Sequence, residues 1–280
     1  MENTIQRLFL VGCARSGTTL LQSLLAAHPE IVSFPESHFF RHLNPHAKWR
    51  RRLGLARPTT REHLEEFYDK IGREDGACVS PGPFTLRMKS YTRAFIRTLD
   101  NKAVEAGANY WLEKTPMHLH HIPLIERYVP NTQFIHLVRD GRDVVASMHK
   151  VTHEYPNEWG GERSIEECLR RWTGDIERTR RHAEKPDHHV VRYREIAKAP
   201  DETLRLLCSA LGVSHAEGMT EEYREQADEV ALGFEEWKEA NTEDVQYKGH
   251  KKYNRYFSDN NKKIIEREVS SYELNSIANI

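Results

Sequence analysis

Long apolar runs are missing from this sequence. No stretch approaches the roughly 18 residues that a bilayer-spanning helix requires. The short apolar run near the N-terminus meets a glycine-rich turn too soon to serve as a signal-peptide core. Cysteine is scarce, at four: Cys13, Cys78, Cys168 and Cys208. They form no CxxC pair and no Cys/His zinc pattern, so a disulfide framework, structural zinc or any other metal site is not expected, and a reducing, cytoplasmic setting is. An excess of either charge is also missing. Lys and Arg number 41 against 42 Asp and Glu, a formal net charge of -1. That balance argues against nucleic acid and against a generic acidic-membrane binder, although a net sum hides local clusters. There is no internal repeat and no low-complexity tract.

What is present suffices for a packed domain. The 280 residues are 38% hydrophobic and 30% charged, with 16 His. Mean hydropathy is -0.73, polar for a globular chain, yet the apolar residues fall in patterned runs. Strands are expected at Ile5–Val11, Ile31–Phe34, Tyr110–Leu112, Gln133–Val138 and His189–Tyr193. Leu20, Leu21, Leu24 and Leu25 recur at helical spacing, and His28-Pro29 ends that helix. Further helices are expected near Met117–Arg127, Gly141–Lys150 and Ser164–Arg181. Strands alternating with helices predict an α/β fold, a P-loop-like three-layer sandwich with a central parallel sheet.

The chain is expected to be one domain over residues 1–280, with two interruptions. Residues 38–107 are expected to form an insertion, helical in its second half, that carries Lys48, Arg50, Arg51, Arg52, Arg57 and Arg61 and shapes the mouth of the site. Val151–Arg163 is expected to be a loop. Insertions of this kind usually border the site of an α/β core. Residues 237–280 are expected to close over it, with a final helix starting near Asp259.

The strongest local signal is Gly12-Cys-Ala-Arg-Ser-Gly-Thr-Thr19, between a strand and a helix. The spacing is that of a phosphate-binding P-loop, which turns backbone N–H groups inward beneath a helix N-terminus. Thr18 stands where the P-loop lysine belongs, which disfavours ordinary Mg²⁺-dependent hydrolysis of ATP or GTP. Arg15 supplies a charge within the loop, and Ser16, Gly17, Thr18 and Thr19 supply donors. The second signal is Arg139-Asp-Gly-Arg-Asp143, at the end of a buried strand, with Ser147 in the following helix. Arg139 and Ser147 suit a second phosphate. Asp140 or Asp143 reads as a helix cap or an arginine partner.

Together these motifs resemble sulfotransferases that use 3′-phosphoadenosine-5′-phosphosulfate (PAPS). Gly12–Thr19 is similar to their 5′-phosphosulfate loop, and Arg139 with Ser147 to their 3′-phosphate pair. Val190–Val213 resembles the following strand–helix segment, with Tyr193 near the nucleotide. The likeness covers Leu8–Phe40 and Tyr110–Val213 and leans toward the bacterial and tyrosylprotein-type branch.

The resemblance implies PAPS as donor and no metal. It implies Arg15 and Lys114 as the charges that stabilise the transferring group, with Glu36 as the base. Cytosolic members carry a His two residues after the Lys; here that position is Pro116, and His118, His120 and His121 read as exposed or capping groups. Lys238, Lys251, Lys252 and Arg255 are candidates for the closing basic segment, and Trp172 and Trp237 for adenine stacking, Trp172 equally for the core. The acceptor is a hydroxyl or amine on a small molecule, glycan, lipid or peptide. A homodimer is left open. Two other readings stay open: a P-loop kinase or NTPase lacking the usual lysine, and a catalytically silent nucleotide-binding protein.

Overall fold

The computed structural model describes residues 5–72, 77–223 and 249–272, with Leu274 and Ile277. Five parallel strands form one sheet in the order β2-β3-β1-β4-β5. They are β1 (Gln6–Gly12), β2 (Ile31–Phe34), β3 (Tyr110–Lys114), β4 (Thr132–Val138) and β5 (His188–Arg192). All five lie within a residue or two of their expected positions.

The side-chain alternation of a strand explains both faces of the sheet. Leu8 and Leu10 of β1 face a cluster with Leu21, Leu24, Leu112, Ile135, Leu137 and Val191. Phe9 and Val11 face an aromatic cluster with Phe40, Phe95, Trp111 and Phe134. Both faces are covered, as a parallel sheet requires. Each large side chain fully buried here contributes about 1.5–3 kcal/mol.

Helix α1 (Thr18–Ala26) follows β1. The insertion between β2 and β3 contains α2 (Phe39–Leu43), α3 (Lys48–Arg52), α4 (Thr60–Lys70) and α5 (Met88–Glu105). It is therefore helical in its first half as well as its second. The extra helices are short and rich in Arg and His, so they carry little apolar period to betray them.

A 3₁₀ turn (Pro116–His121) and α6 (Ile122–Tyr128) replace the continuous helix expected after β3. Helix α7 (Gly141–Glu154) runs past its expected end, and α8 (Pro156–Trp159) follows. Much of the expected 151–163 loop is thus helical: Val151 and Thr152 are buried and extend the α7 stripe, and Pro156 starts α8 where a missing N–H costs nothing. Helix α9 (Ile165–His182) opens on a reciprocal capping box between Ser164 and Glu167,. Helices α10 (Tyr193–Lys198) and α11 (Pro200–Leu211) follow β5, and α12 (Lys251–Tyr256) and α13 (Asp259–Val269) end the described chain.

Trp172 belongs to the core and is not an adenine platform. It is fully buried on α9, donates from its indole N–H to the Arg139 carbonyl at 3.1 Å, and lies against Gly141, where an added Cβ would meet its ring at 2.9 Å. That close approach seats the start of α7 on α9. Trp237 and Lys238 lie outside the described residues.

Candidate active site

The chain crosses from one side of β1 to the other between β3 and β4, and ligand crevices in open α/β sheets form at such a switch point. The carboxyl ends of the strands border a cleft of about 1340 Å³. Arg15, Gly17, Thr18, Thr19, Glu36, Arg139, Ser147 and Tyr193 all line it. Ser16 and Lys114 lie just beneath, at 1% exposure each.

The Gly12–Thr19 loop has the conformation its sequence suggests. Arg15 and Gly17 both take positive φ, 71° and 97°. Gly17 is required twice over: its backbone is left-handed, and a Cβ there would meet the Tyr193 ring at 2.6 Å,. Helix α1 begins at Thr18, so its first-turn N–H groups point at the cleft without intrahelical acceptors,.

Two side-chain constellations stand over this loop. In the first, Arg139 stacks its guanidinium 4.0 Å from the centroid of the Tyr193 ring. Its Nε is buried without a hydrogen-bond acceptor, and Asp143 Oδ2 stands off at 3.8 Å. Asp140 caps α7, accepting from the Arg142 N–H and side chain. Asp143 accepts from His250 at 3.1 Å, which ties the tail to α7. Lys251 and Lys252 line the cleft beside that contact, whereas Arg255 does not. Arg15 donates from Nε to Ser147 Oγ at 3.1 Å. Its guanidinium therefore lies on the side that the sequence resemblance associates with a 3′-phosphate.

In the second constellation, Lys114 ends β3 inside the strand rather than past it. Its ammonium forms a close ion pair with Glu36 and donates to Thr19 Oγ1 at 3.4 Å. Glu36 is also 3.4 Å from His38 Nε2. Burial lowers the His38 pKa, although the Glu36 charge opposes that shift.

Sequence reasoning missed the residue that holds this pair together. Glu113 is fully buried beside Lys114. Its Oε1 accepts from the Ser37 N–H, the Ser37 hydroxyl and the Thr115 hydroxyl, at 3.0, 2.7 and 2.5 Å. Its Oε2 accepts from His118 Nδ1 at 2.9 Å, while His118 Nε2 accepts from the Phe40 N–H at 3.3 Å. Burial pushes the Glu113 carboxyl up, but the adjacent His118 and these donors outweigh it, and its pKa is lowered. One carboxylate thus ties the turn after β2, which carries Glu36, to the end of β3, which carries Lys114. The signal in the sequence was the hydroxyls at Ser37 and Thr115, the latter just past the strand end. His118 is accordingly not exposed, at 0%; the first-turn donor it satisfies belongs to α2. His120 is a partner of buried Asp175, at 2.6 Å.

The insertion forms the other wall. Of its basic cluster only Arg51 and Arg57 line the cleft, joined by Arg41, His42, His46 and His63. Arg50 instead donates to the Ala56 carbonyl and Arg61 to the 81–83 carbonyls. Burial and the neighbouring His63 lower the His42 pKa to about 4. Arg163 and Arg171, also unforeseen, line the cleft and each keeps one buried nitrogen without an acceptor. Away from the cleft, Glu126, His182 and His188 bring three ligand-type atoms within 4.8 Å of one another, a grouping that no sequence spacing suggested. Lys185 already pairs with Glu126 at 2.6 Å.

A phosphate-type loop, arginines with unused nitrogens and a Lys–Glu pair at parallel strand ends stand on an α/β fold of the P-loop-like class. The sulfotransferase family model matches residues 7–217, and the chain belongs to that family. Among curated proteins it is 27% identical over 209 residues to protein-tyrosine sulfotransferase 1 of Danio rerio, covering 74% of this chain and 53% of the relative. It is 29% identical over 172 residues to the Homo sapiens protein of that name, covering 61% and 40%. The chain thus spans about half the length of the curated relatives it matches. In fold it is similar to the sulfotransferase domain from the curacin biosynthetic pathway, with a TM-score of 0.61, 18% identity, and coverage of 96% and 99%. It is also similar to mouse sulfotransferase SULT7A1 complexed with PAP, with a TM-score of 0.57, 13% identity, and coverage of 97% and 85%.

Proposed function

We propose that the chain transfers a sulfuryl group from PAPS to a hydroxyl or amine acceptor. The observation that carries this reading is the placement of Lys114 between Glu36 and Thr19 at the phosphate loop, with Arg139 on Tyr193 at the other end of the same cleft. The site suits a doubly phosphorylated nucleotide. The Arg139 Nε has no hydrogen-bond acceptor within the protein, and the first-turn amides of α1 point the same way.

In this reading the Glu36 carboxylate takes the proton of the acceptor as the new bond to sulfur forms. The bond from sulfur to the 5′-phosphate oxygen breaks, and the Lys114 ammonium, held in place by Glu36 and Thr19, meets the charge that develops on that oxygen. Arg139, Ser147 and Tyr193 bind the nucleotide and do no chemistry, and Arg15 spans from the loop to Ser147. A kinase-like alternative is disfavoured by Thr18 at the lysine position and by the absence of an acidic residue at the end of β4, where Arg139 stands.

The test is incubation of the protein with ³⁵S-labelled PAPS and fractionated cell extract. The expected result is label on a discrete acceptor, lost in Lys114→Ala. Label that stays on the nucleotide or appears only as free sulfate would oppose the reading.

A further inference from the structure

The overall charge balance conceals a one-sided insertion. From Ser37 to Arg61 there are seven Lys or Arg and no Asp or Glu, and from Ala77 to Leu99 there are four and again none. The two stretches are laced together. Leu55 and Arg87 form an antiparallel bridge, the Ala56 N–H donates to Leu86 O at 2.8 Å, and the Met88 N–H donates to Gly54 O at 2.8 Å. Arg61 holds the Pro81-Gly-Pro83 turn by its carbonyls, the closest at 2.7 Å. The result is one surface built from α3, the Gly54 turn and the loop that leads into α5.

That surface also exposes large apolar side chains. Trp49 is 57% exposed, Leu53 65%, Phe84 94% and Leu86 60%, four of the seven such residues among the described part of the chain. Helix α3 buries none of its residues. Phe84 stands just past a Pro-Gly-Pro turn, and Trp49 is flanked by Lys48, Arg50, Arg51 and Arg52.

We propose that this face docks on an anionic lipid bilayer, with Trp49, Leu53, Phe84 and Leu86 entering the headgroup boundary and Lys48, Arg52, Arg87 and Lys89 meeting lipid phosphates. Aromatic and aliphatic side chains ringed by Lys and Arg are the composition that interfacial binding selects. Each cation near an anionic leaflet adds to the attraction. A second copy of the chain is a poor occupant, because a two-fold contact through this patch would set cations against cations. No helix among the described residues is long and apolar enough to cross a membrane, so the contact is peripheral. Arg51 and Arg57 belong both to this insertion and to the cleft wall, so docking would bring the cleft mouth to headgroup level. The inference goes beyond sulfuryl transfer and does not rest on it.

The test is co-sedimentation of the whole chain with phosphatidylcholine vesicles, with and without about a third phosphatidylserine, over a salt series. The expected result is at least about tenfold stronger binding to the anionic vesicles, weakened by salt. Phe84→Ser combined with Trp49→Ser should lower binding roughly fivefold or more, and Lys48→Glu with Arg52→Glu should abolish the anionic preference. None of these four side chains lines the cleft and all are exposed, so the melting temperature should be unchanged and reports that the variants are folded. Equal binding to both vesicle types, binding indifferent to these substitutions, or binding to polyglutamate but to neither vesicle would overturn the proposal. The last result would assign the face to an acidic protein segment.

Discussion

The two walls of the cleft are built on different principles. The strand-end wall is made of short turns pinned by buried polar contacts: Glu113 with four donors, Arg139 stacked on Tyr193, Lys114 between Glu36 and Thr19. The insertion wall presents Arg41 and Arg51 from short helices and Arg57 from the turn between α3 and α4. Preorganised charge belongs where a transition state must be met without rearrangement. Charge at the water-facing rim suits partners whose shape varies. Under the proposed function, the strand-end wall serves the donor and the chemistry, and the insertion wall serves the acceptor.

Substitutions should separate the walls. Lys114→Ala should have the largest effect, lowering turnover by about 10²–10³-fold, with binding of 3′,5′-adenosine bisphosphate changed by less than about tenfold. Single-turnover kinetics and calorimetry give the two numbers; unchanged turnover would remove Lys114 from the chemistry. Glu36→Gln keeps the size of the side chain but not the base, and turnover should fall by about 10²-fold at unchanged nucleotide affinity. Arg139→Ala should act the other way round, weakening the bisphosphate by about 10–100-fold through loss of a charged donor, about 1.5–3 kcal/mol. Turnover at saturating donor should stay within a few-fold. Smallest is Arg57→Ala on the insertion: acceptor KM should rise about two- to fivefold, since partly exposed charges contribute little each. A fall in nucleotide affinity there would dissolve the distinction between the walls.

Acid should also tell the walls apart. His42 and His121, which line the cleft from α2 and the 3₁₀ turn, have pKa values lowered to about 4 and about 3, first by burial and then by neighbouring histidines. His188 is likewise lowered to about 4 by burial. A lowered histidine binds its proton more readily unfolded than folded. Its contribution is intact above the unfolded value near pH 6.5 and drains away as pH falls toward 4 or 3. The lowered Glu113 carboxyl works in the acid part of that window and below it: its contribution is present above the ordinary carboxylate range and is lost as pH falls through its folded value,. Melting temperature should therefore decline as pH falls below about 6.5 and fall more steeply through the carboxylate range, where Glu126 and Asp140 are lowered as well; Glu113→Gln should lessen the steeper part. A flat profile between pH 6.5 and 4 would contradict the histidine assignments.

Legibility in the sequence follows the same division. The five strands and the loop before α1 were readable because buried parallel strands leave unbroken apolar runs, and because a phosphate turn needs Gly at fixed spacing. That Glu36, Arg139 and Ser147 border the cleft, with Lys114 just beneath, was readable from strand ends and the helix after β4. Glu113 was not, because an acid next to a strand end looks like a solvated residue until the hydroxyls of Ser37 and Thr115 are brought to it from separate segments. The insertion was opaque for a related reason. Its shape depends on backbone links such as Leu55 with Arg87, which leave no periodic trace. The 16 His residues misled in kind: His118 supports a buried carboxylate, and His136 and His188 hydrogen-bond to each other at 2.8 Å beneath the sheet edge.

The most direct test of the division is calorimetric titration of 3′,5′-adenosine bisphosphate, without Mg²⁺, into the unaltered chain and into Arg139→Ala and Arg57→Ala. One saturable site, weakened by about 10–100-fold in Arg139→Ala and unmoved in Arg57→Ala, is the result the structure predicts. No binding, or binding only of ATP and only with Mg²⁺, would contradict it.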